Sequence, residues 1–353
     1  MKIIIAGSGQ VGSHLAKLLS YESQEITLID SNDEKLTFPN SQLDIRVVEG
    51  DCTSISILNK ANVADADLFI GVTATEAVNL TSCYLAKQLG AKKTIARISN
   101  PELKENDNID FSELGISELI SPEILTSKEI NMAINRAEFT DPFEFEGGAL
   151  ITLGLSATHT STFVGKTVVE AAEIFPETHF FPISIKRDEK TIIPRGDTVF
   201  HSGDHIVFMT EPGGEEELLK LSGQNNGVIK NVMILGGGRV GKKVAQDLSS
   251  NNFNVKLVEI DKDRAEELAE DLENCLVIYG DGTNTELLDE ESLDQMDSFI
   301  AVTGDSEDNI MSSLIAKSKG INKTIALVDN LDYYKLTQIS GIDTLINKKL
   351  LAA

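Results

Sequence analysis

Residues 2–19 read KIIIAGSGQVGSHLAKLL, and residues 231–248 read NVMILGGGRVGKKVAQDL. In each, a short apolar run, IIIA or MIL, suits a strand buried on both faces. The segment after it carries helical spacing, through Val11, Leu15 and Leu18 in the first stretch. Between strand and helix lies a glycine loop, GSGQVG (Gly7, Ser8, Gly9, Gln10, Val11, Gly12) or GGGRVG (Gly236, Gly237, Gly238, Arg239, Val240, Gly241). In such a loop the first glycine makes the tight turn, the second lets a phosphate approach the backbone, and the third lets helix and strand pack closely. Unpaired N–H groups at the helix start, with the helix dipole behind them, then bind phosphate or pyrophosphate.

The similarity of the two stretches extends along the chain. VVEGDCTSISIL from Val47 matches VIYGDGTNTELL from Val277, and DLFIGVTATEAVNL from Asp67 matches DSFIAVTGDSEDNI from Asp297. AKKTIARI from Ala91 matches INKTIALV from Ile321. Pairs in one order at a near-constant offset mark a duplicated unit of about 120 residues. The expected fold is therefore α/β, with two Rossmann-like, doubly wound parallel-sheet domains at 1–122 and 227–346. Between them, 123–140 reads as a crossover helix, running from Ser121 to about Phe139. Residues 141–226 read as a small α+β subdomain, with strand-like ALITLGL from Ala149 and HIVFMT from His205 around turn-rich PRGD and HSGD. GEEELLKLSGQNNG reads as its last helix and a Gly/Asn linker. After GIDTLI the second copy runs only through NKKLLAA, so 347–353 is expected to be the truncated start of a second crossover helix, with no second small subdomain.

Several residues cluster by position around each loop. Asp30 ends the strand EITLID about 20 residues beyond the first loop, where a carboxylate accepts hydrogen bonds from both ribose hydroxyls; the alternative is that it caps the following turn. Glu259, ending VKLVE, has the same place in the second copy. A carboxylate there repels a 2′-phosphate, which favours NAD or another adenine nucleotide over NADP. Asp51 with Cys52 in GDCT, and Asp281 in GDGT, follow the third strand, where an adenine ring would lie; for the aspartates, capping the next helix is the primary expectation and ligand contact the secondary one. Thr73 and Thr303 stand at the carboxyl edge of the fourth strand, a position of ligand contact in open α/β sheets. The copies diverge at Arg97 in TIARI, where TIALV has Leu327. A guanidinium at that edge pairs with phosphate oxygens or makes a surface salt bridge. In the second copy Arg239, inside the loop, is expected to substitute in part.

Composition excludes other classes. The formal charge of −25 repels a polyanion over most of the surface, so no nucleic-acid partner is expected, and a redox-sensing transcription factor lacks its basic recognition helix. Ahead of Gly7 the apolar run is only four residues long, too short for a signal-peptide core, which gives the expectation of a cytoplasmic protein. Three scattered cysteines suggest neither a disulfide framework nor a zinc site. His201 and His205 have metal-like spacing but flank a Gly-Asp turn, and no metal site is expected of them. No nucleophile elbow or other catalytic arrangement is visible, and no separate domain is large enough for a substrate pocket. The expectation is a regulatory protein and not an enzyme; the alternative is an NAD-dependent oxidoreductase with an unidentified substrate.

The order GSGQVG with Asp30, GDCT, VTATEAVN and TIARI, then STFVGKTVVE and IIPRGDTVFHSGD, resembles the TrkA family of RCK (KTN) proteins, and the resemblance covers essentially the whole chain. It implies a peripheral regulatory subunit on the inner face of the plasma membrane. Such a subunit assembles as a homo-oligomer, dimer or ring, on a membrane-embedded Trk-type potassium channel or transporter subunit. The implied ligands are NAD or NADH, and also ATP or ADP, whose exchange gates ion flux. Carried over, the contacts are Gly7 to Val11, Asp30, Thr73 with Ala74, and Arg97 in the first half. In the second they are Gly236 to Val240, Glu259, and Thr303 with Gly304, while Leu327 supplies no charge.

Overall fold

The structure, a computed structural model, describes residues 1–106, 108–137, 139–174, 180–188, 190–223, 229–329 and 341–351. In the first unit the strands are β1 (Lys2–Ala6), β2 (Glu25–Asp30), β3 (Arg46–Glu49), β4 (Leu68–Gly71), β5 (Lys93–Arg97) and β6 (Glu118–Ile120). They form one parallel sheet in the order β3-β2-β1-β4-β5-β6. Central strand β1 is apolar on both faces because both are covered: Ile3, Ile4, Ile5 and Ala6 are all buried. Its register sets Ile5 beside Leu28 of β2 and Ile70 of β4. Strand order reverses between β1 and β4, and a crevice opens at the carboxyl ends of the strands at such a switch point. The first glycine loop lies there, followed by helix α1 (Gln10–Ser20).

A five-stranded antiparallel sheet comes next, made of β7 (Thr140–Phe145), β8 (Leu150–Ser156), β9 (Phe180–Arg187), β10 (Lys190–Ile192) and β11 (His205–Thr210) in the order β10-β9-β11-β8-β7. One face is covered by the helices Val168–Ala172 and Glu215–Ser222. This is the small α+β body that the sequence leads one to expect. Its core is aromatic, with the Phe163 and Phe200 rings 5.2 Å apart and edge-on. A clamp closes its turn: Arg187 Nε and Nη2 donate to the two oxygens of fully buried Asp204 at 2.6 and 2.7 Å. Burial pushes the Asp204 carboxyl up, but the Arg187 hydrogen bonds and the His201 N–H outweigh it and hold the group below its ordinary range. The Gly/Asn linker expected after the helix Glu215–Ser222 lies at 224–228, outside the described residues.

The second unit repeats the first. Strands β12 (Asn231–Leu235), β13 (Asn254–Glu259), β14 (Cys275–Tyr279), β15 (Ser298–Ala301), β16 (Lys323–Leu327) and β17 (Thr344–Ile346) are parallel in the order β14-β13-β12-β15-β16-β17. Among its helices are Arg239–Ser250, which follows the second glycine loop, and Lys348–Leu351 near the end of the described chain.

The helices that matter for the site are numbered α2 (Glu76–Leu89), α3 (Pro122–Asn135), α4 (Arg239–Ser250) and α5 (Lys348–Leu351). Helix α3, capped by the Ser121 hydroxyl, ends at Asn135 and not near Phe139, because Arg136 leaves the helical conformation and its guanidinium pairs with Glu144 and Glu215. It carries the chain across to the other unit: Ile130, Ala133 and Ile134 belong to one core with Val240, Val244 and Leu248. Burying an isoleucine contributes about 1.5–3 kcal/mol, so this contact is part of the second unit's folding core. Around it, Ser127 Oγ and Asn131 Nδ2 both donate to Asp247 at 2.9 Å, and Lys243 bridges Glu105 and Asp247. Lys348 Nζ of α5 meets Glu123 of α3 at 2.6 Å, with the Glu123 side chain only 4% exposed. Among the described residues no helix is long and apolar enough to cross a membrane.

Candidate functional site

Helix starts among the described residues are of two kinds. Asn32, Ser121, Asp261, Asn284 and Asp305 each cap their helix with a side-chain oxygen. Gly9 and Gly238, like Ser54, Thr75, Pro101 and Gly214, begin their helices with no side-chain cap, which leaves the first N–H groups of α1 and α4 open to a ligand.

Within each loop the glycines are glycine for different reasons. Gly7 has φ +110°, and an added Cβ would stand 2.8 Å from the Thr73 nitrogen. At Gly12 it would stand 1.8 Å from the Gly7 carbonyl oxygen. Both are demanded by packing, as are their counterparts Gly236 and Gly241. Gly9 is not. Its backbone, φ −74° and ψ −171°, suits any L-residue, and a Cβ there would meet nothing within 4 Å. Gly238 has the same property. The fold leaves open space at the one loop position where a phosphate needs it.

On one side of the first loop a cleft of about 430 Å³ brings together Gly9, Asp30, Asp51, Cys52, Thr73 and Ala74. On the other side a second cleft, of about 290 Å³, is lined by Gln10, Val11 and Arg97 of this half, and by Asp329 and Lys348 of the other half. Arg97 Nε is buried and has no hydrogen-bond partner among the described residues, and the guanidinium forms no ion pair there. The surface salt bridge weighed for it is thus absent among the described residues.

The Asp30 carboxylate accepts from Ser8 N at 2.7 Å and from Asn32 N at 2.9 Å. It braces both the loop and the following turn, and still lines the cleft. In the second half Glu259 does the same toward Gly237 N (2.6 Å) and Asp261 N (2.9 Å), but it is 9% exposed and more deeply enclosed. Ser8 is nearly buried and its hydroxyl donates to the Lys35 carbonyl, so its side chain serves the scaffold and faces away from the cleft. Gly12 and Gly241 are likewise buried beneath their loops.

Two expectations need correction. Asp51 and Asp281 do not cap the next helix. Each accepts from the backbone and hydroxyl of the threonine two residues on, Thr53 or Thr283, closing a turn, while Ser54 and Asn284 occupy the cap positions. Those hydrogen bonds hold both carboxyls below their ordinary range. Arg239 does not stand in for Arg97 beside its own loop. It lines a cleft of about 190 Å³ between the halves, with Asn100, Glu102 and Glu105 on one wall and Lys242 and Arg264 on the other. Gly304 follows Thr303, and a Cβ there would also meet open space.

Cysteine chemistry gains no support from the cleft. Burial pushes the Cys52 thiol up, and Cys83 is pushed up to about 12 by burial, so neither offers a thiolate near neutrality. His201 is exposed, and His205 Nε2 lies 2.6 Å from Thr140 Oγ1. Among the described residues no group of three or more His, Cys, Asp or Glu could hold a metal ion.

Sequence reasoning missed Asn79. From α2 its buried amide accepts from Thr73 N and Oγ1, both at 2.7 Å, and donates to the carbonyls of Thr73 at 3.2 Å and Arg97 at 2.9 Å. It ties the end of β4 to the end of β5 and so fixes the backbone that carries Arg97. Asn309 repeats all four bonds to Thr303 and Leu327. The signal was available: Thr and Asn six residues apart recur in VTATEAVN and VTGDSEDN. Asn79→Ala leaves a buried N–H and two carbonyls unsatisfied, which is expected to cost about 2 kcal/mol of stability and to weaken first-cleft ligands about tenfold. Thermal unfolding and titration check this, and an unchanged affinity would contradict the positioning role.

Comparison with known proteins agrees with this layout. The TrkA-N domain family model matches residues 3–122 and 232–348, and the TrkA-C domain model matches 155–223. The Trk system potassium uptake protein TrkA of Haemophilus influenzae is 36% identical over 98% of this chain and 76% of its own length. A homologue of that protein from Methanosarcina mazei is 33% identical over 99% of this chain and 78% of its own. Among solved structures, the GsuK RCK domain superposes with a TM-score of 0.72 at 19% identity, covering 99% of this chain and 74% of that one. The GsuK channel bound to NAD gives 0.72 at 20%, covering 99% and 62%. With both glycine-loop units and the antiparallel sheet between them matched in order, the chain belongs to the TrkA family of Trk-system potassium uptake proteins.

Proposed function

We propose that this protein is the nucleotide-sensing regulatory subunit of a Trk-type potassium uptake system. It works as a cytoplasmic homo-oligomer held at the inner face of the plasma membrane by a membrane-embedded channel or transporter subunit. Its ligands are NAD(H) or adenine nucleotides, bound at the two glycine loops, and it performs no chemistry on them. In this reading 1–122 and 227–346 are the sensing domains, 123–140 is the crossover, 141–226 is the small subdomain, and 347–353 begins a second crossover.

The observation that carries the reading is the empty space over Gly9 and Gly238, positions that are glycine although neither backbone nor packing asks for it. Supporting it are the uncapped N–H groups of α1 and α4, the Asp30 carboxylate lining the same cleft as Gly9, and the Arg97 Nε without a partner among the described residues. The relatives add the partner: they are named for Trk potassium uptake, and GsuK has been solved with NAD and with ADP. A ligand shifts a conformational equilibrium only by its differential affinity for the two states. A cleft whose walls come from both halves provides such a difference, since moving one half changes the cleft.

Reconstitution with a Trk-type membrane subunit tests this. Rubidium uptake into vesicles is expected to change on adding NADH or ATP with the wild-type chain. With Asp30→Ala the chain should still bind the membrane subunit, but the response should fall about tenfold in nucleotide sensitivity, the loss of one charged hydrogen-bonding group. Uptake indifferent to every nucleotide, or steady consumption of NADH, would reject the proposal.

A further inference from the structure

At the amino ends of β1, β2 and β3, on the edge of the first sheet away from the glycine loop, lies a groove of about 380 Å³. Ile4, Thr27, Ala61 and Ala66 line it, and four exposed charged residues border it. In the second unit the corresponding place is filled, for Lys256 stands where Thr27 does, Glu291 where Ala61 does and Met296 where Ala66 does. Lys256 Nζ donates to the Glu291 carbonyl at 2.6 Å and reaches its carboxylate at 3.5 Å, with the lysine side chain only 24% exposed. An ammonium on an alkyl stem is thus what this part of the fold already holds in one of its two copies. The first copy has the acceptors without the amine. The Ala61 carbonyl, counterpart of the Glu291 carbonyl, accepts no hydrogen bond among the described residues, because Arg46 reaches the same turn one residue earlier, donating to the Lys60 carbonyl at 2.6 Å. Of the four bordering charges, both cations are engaged, Arg46 in this way and Lys2 with Asp65 at 3.4 Å. The Glu25 and Asp44 carboxylates have no donor among the described residues. The formal charges balance, so unsatisfied acceptors rather than net field favour a cationic ligand.

We infer that this groove binds a linear aliphatic amine carrying two or more ammonium groups. One ammonium takes the place that Lys256 Nζ has in the second unit and donates to the Ala61 carbonyl. The methylene chain covers Ile4 and the two alanines, whose small side chains leave the room that Glu291 and Met296 take up in the other copy. The second ammonium, with three donors of its own, is held by the Glu25 and Asp44 carboxylates at the border. A metal cation has no stem to cover the apolar floor, and a monoamine leaves one set of acceptors to solvent. The formal charge of −25 enriches polycations around the whole protein, but only placed acceptors fix one of them in a groove. Because the groove and the glycine loop lie at opposite edges of the sheet, the amine and a ligand at the loop do not compete for space.

Calorimetric titration of the full chain with spermidine, putrescine and n-butylamine at low ionic strength tests this. One spermidine or putrescine is expected to bind per chain, at least about tenfold more tightly than n-butylamine, the effect of a second charged, hydrogen-bonded end. Thr27→Lys/Arg46→Leu/Ala61→Glu transplants the second unit's own filling into the first and should weaken spermidine at least about tenfold. Glu25→Gln/Asp44→Asn changes exposed positions only and keeps the space. It should weaken spermidine at least about fivefold and bring it close to n-butylamine. Thermal unfolding checks that each variant is folded, and if the transplant is not, the exposed pair decides. Many weak spermidine sites per chain, lost with added salt and unmoved by either variant, would mean general attraction to an acidic surface and would overturn the site. Equal affinity for spermidine and n-butylamine, or no saturable binding at millimolar concentration, would overturn it as well.

Discussion

Gly9→Val is expected to abolish ligand binding at the first loop while leaving the protein folded. The backbone at residue 9 is already in a conformation that valine adopts, and the added Cβ meets no atom within 4 Å. Valine is a poor helix cap, which costs up to about 1 kcal/mol, but it restricts the unfolded chain more than glycine does, which offsets much of that. The melting temperature should therefore move by no more than about 3 °C. Binding is another matter. A phosphate close enough to accept from the uncapped N–H groups must occupy the space the isopropyl group takes. Losing two or more charged hydrogen bonds, at about 1.5–3 kcal/mol each, weakens binding by more than about 100-fold. A variant that binds normally would mean the space over Gly9 is not where the ligand lies.

Gly12→Ala should do the reverse, three residues along the same loop. Its Cβ would sit 1.8 Å from the Gly7 oxygen and 3.0 Å from the Gly7 carbon. Gly7 cannot retreat, since it has φ +110° and packs against the backbone of Val72 and Thr73. The clash must be relieved by moving α1 off the sheet, opening the contacts of Val11, Leu15 and Ala16 with the strands. The expected cost is more than about 3 kcal/mol, or a fall of at least about 6 °C in the unfolding transition of the first unit. Gly241→Ala should affect the second unit in the same way, since it faces the Gly236 oxygen at the same 1.8 Å. An unchanged melting curve for either variant would show that the loop relaxes, and would remove the distinction between packing glycines and ligand glycines.

The fold was legible because its determinants are local and written twice. An apolar run that tolerates no polar residue, a glycine loop and a helix-spaced segment recur at a fixed offset, so each copy interprets the other. The position of Asp30 and Glu259 was legible for the same reason: each ends the second strand of its copy, where its carboxylate accepts from the glycine loop and from the turn that follows. Asp51 was misread because a side-chain oxygen four residues before a helix and one at its cap look alike in sequence. The choice depends on Thr53, whose backbone and hydroxyl both claim the carboxylate. Arg239 was placed correctly on its loop but assigned to the wrong cleft, since where a long side chain points is decided by the unit packed against it. Lys348 and Asp329 were invisible for a related reason. They lie more than 300 residues from Gly9, and only the docking of α3 on α4 and α5 on α3 brings them to it.

The measurement that tests the central claim most directly is equilibrium titration of the purified chain with ATP, ADP, NAD and NADH, comparing the wild type with Gly9→Val and Gly238→Val. The account predicts saturable binding to the wild type, loss of one class of sites in each single variant, and loss of all binding in the double variant, with melting temperatures nearly unchanged. Nucleotide binding that survives in the double variant, or no binding to the wild type at millimolar concentration, would contradict it.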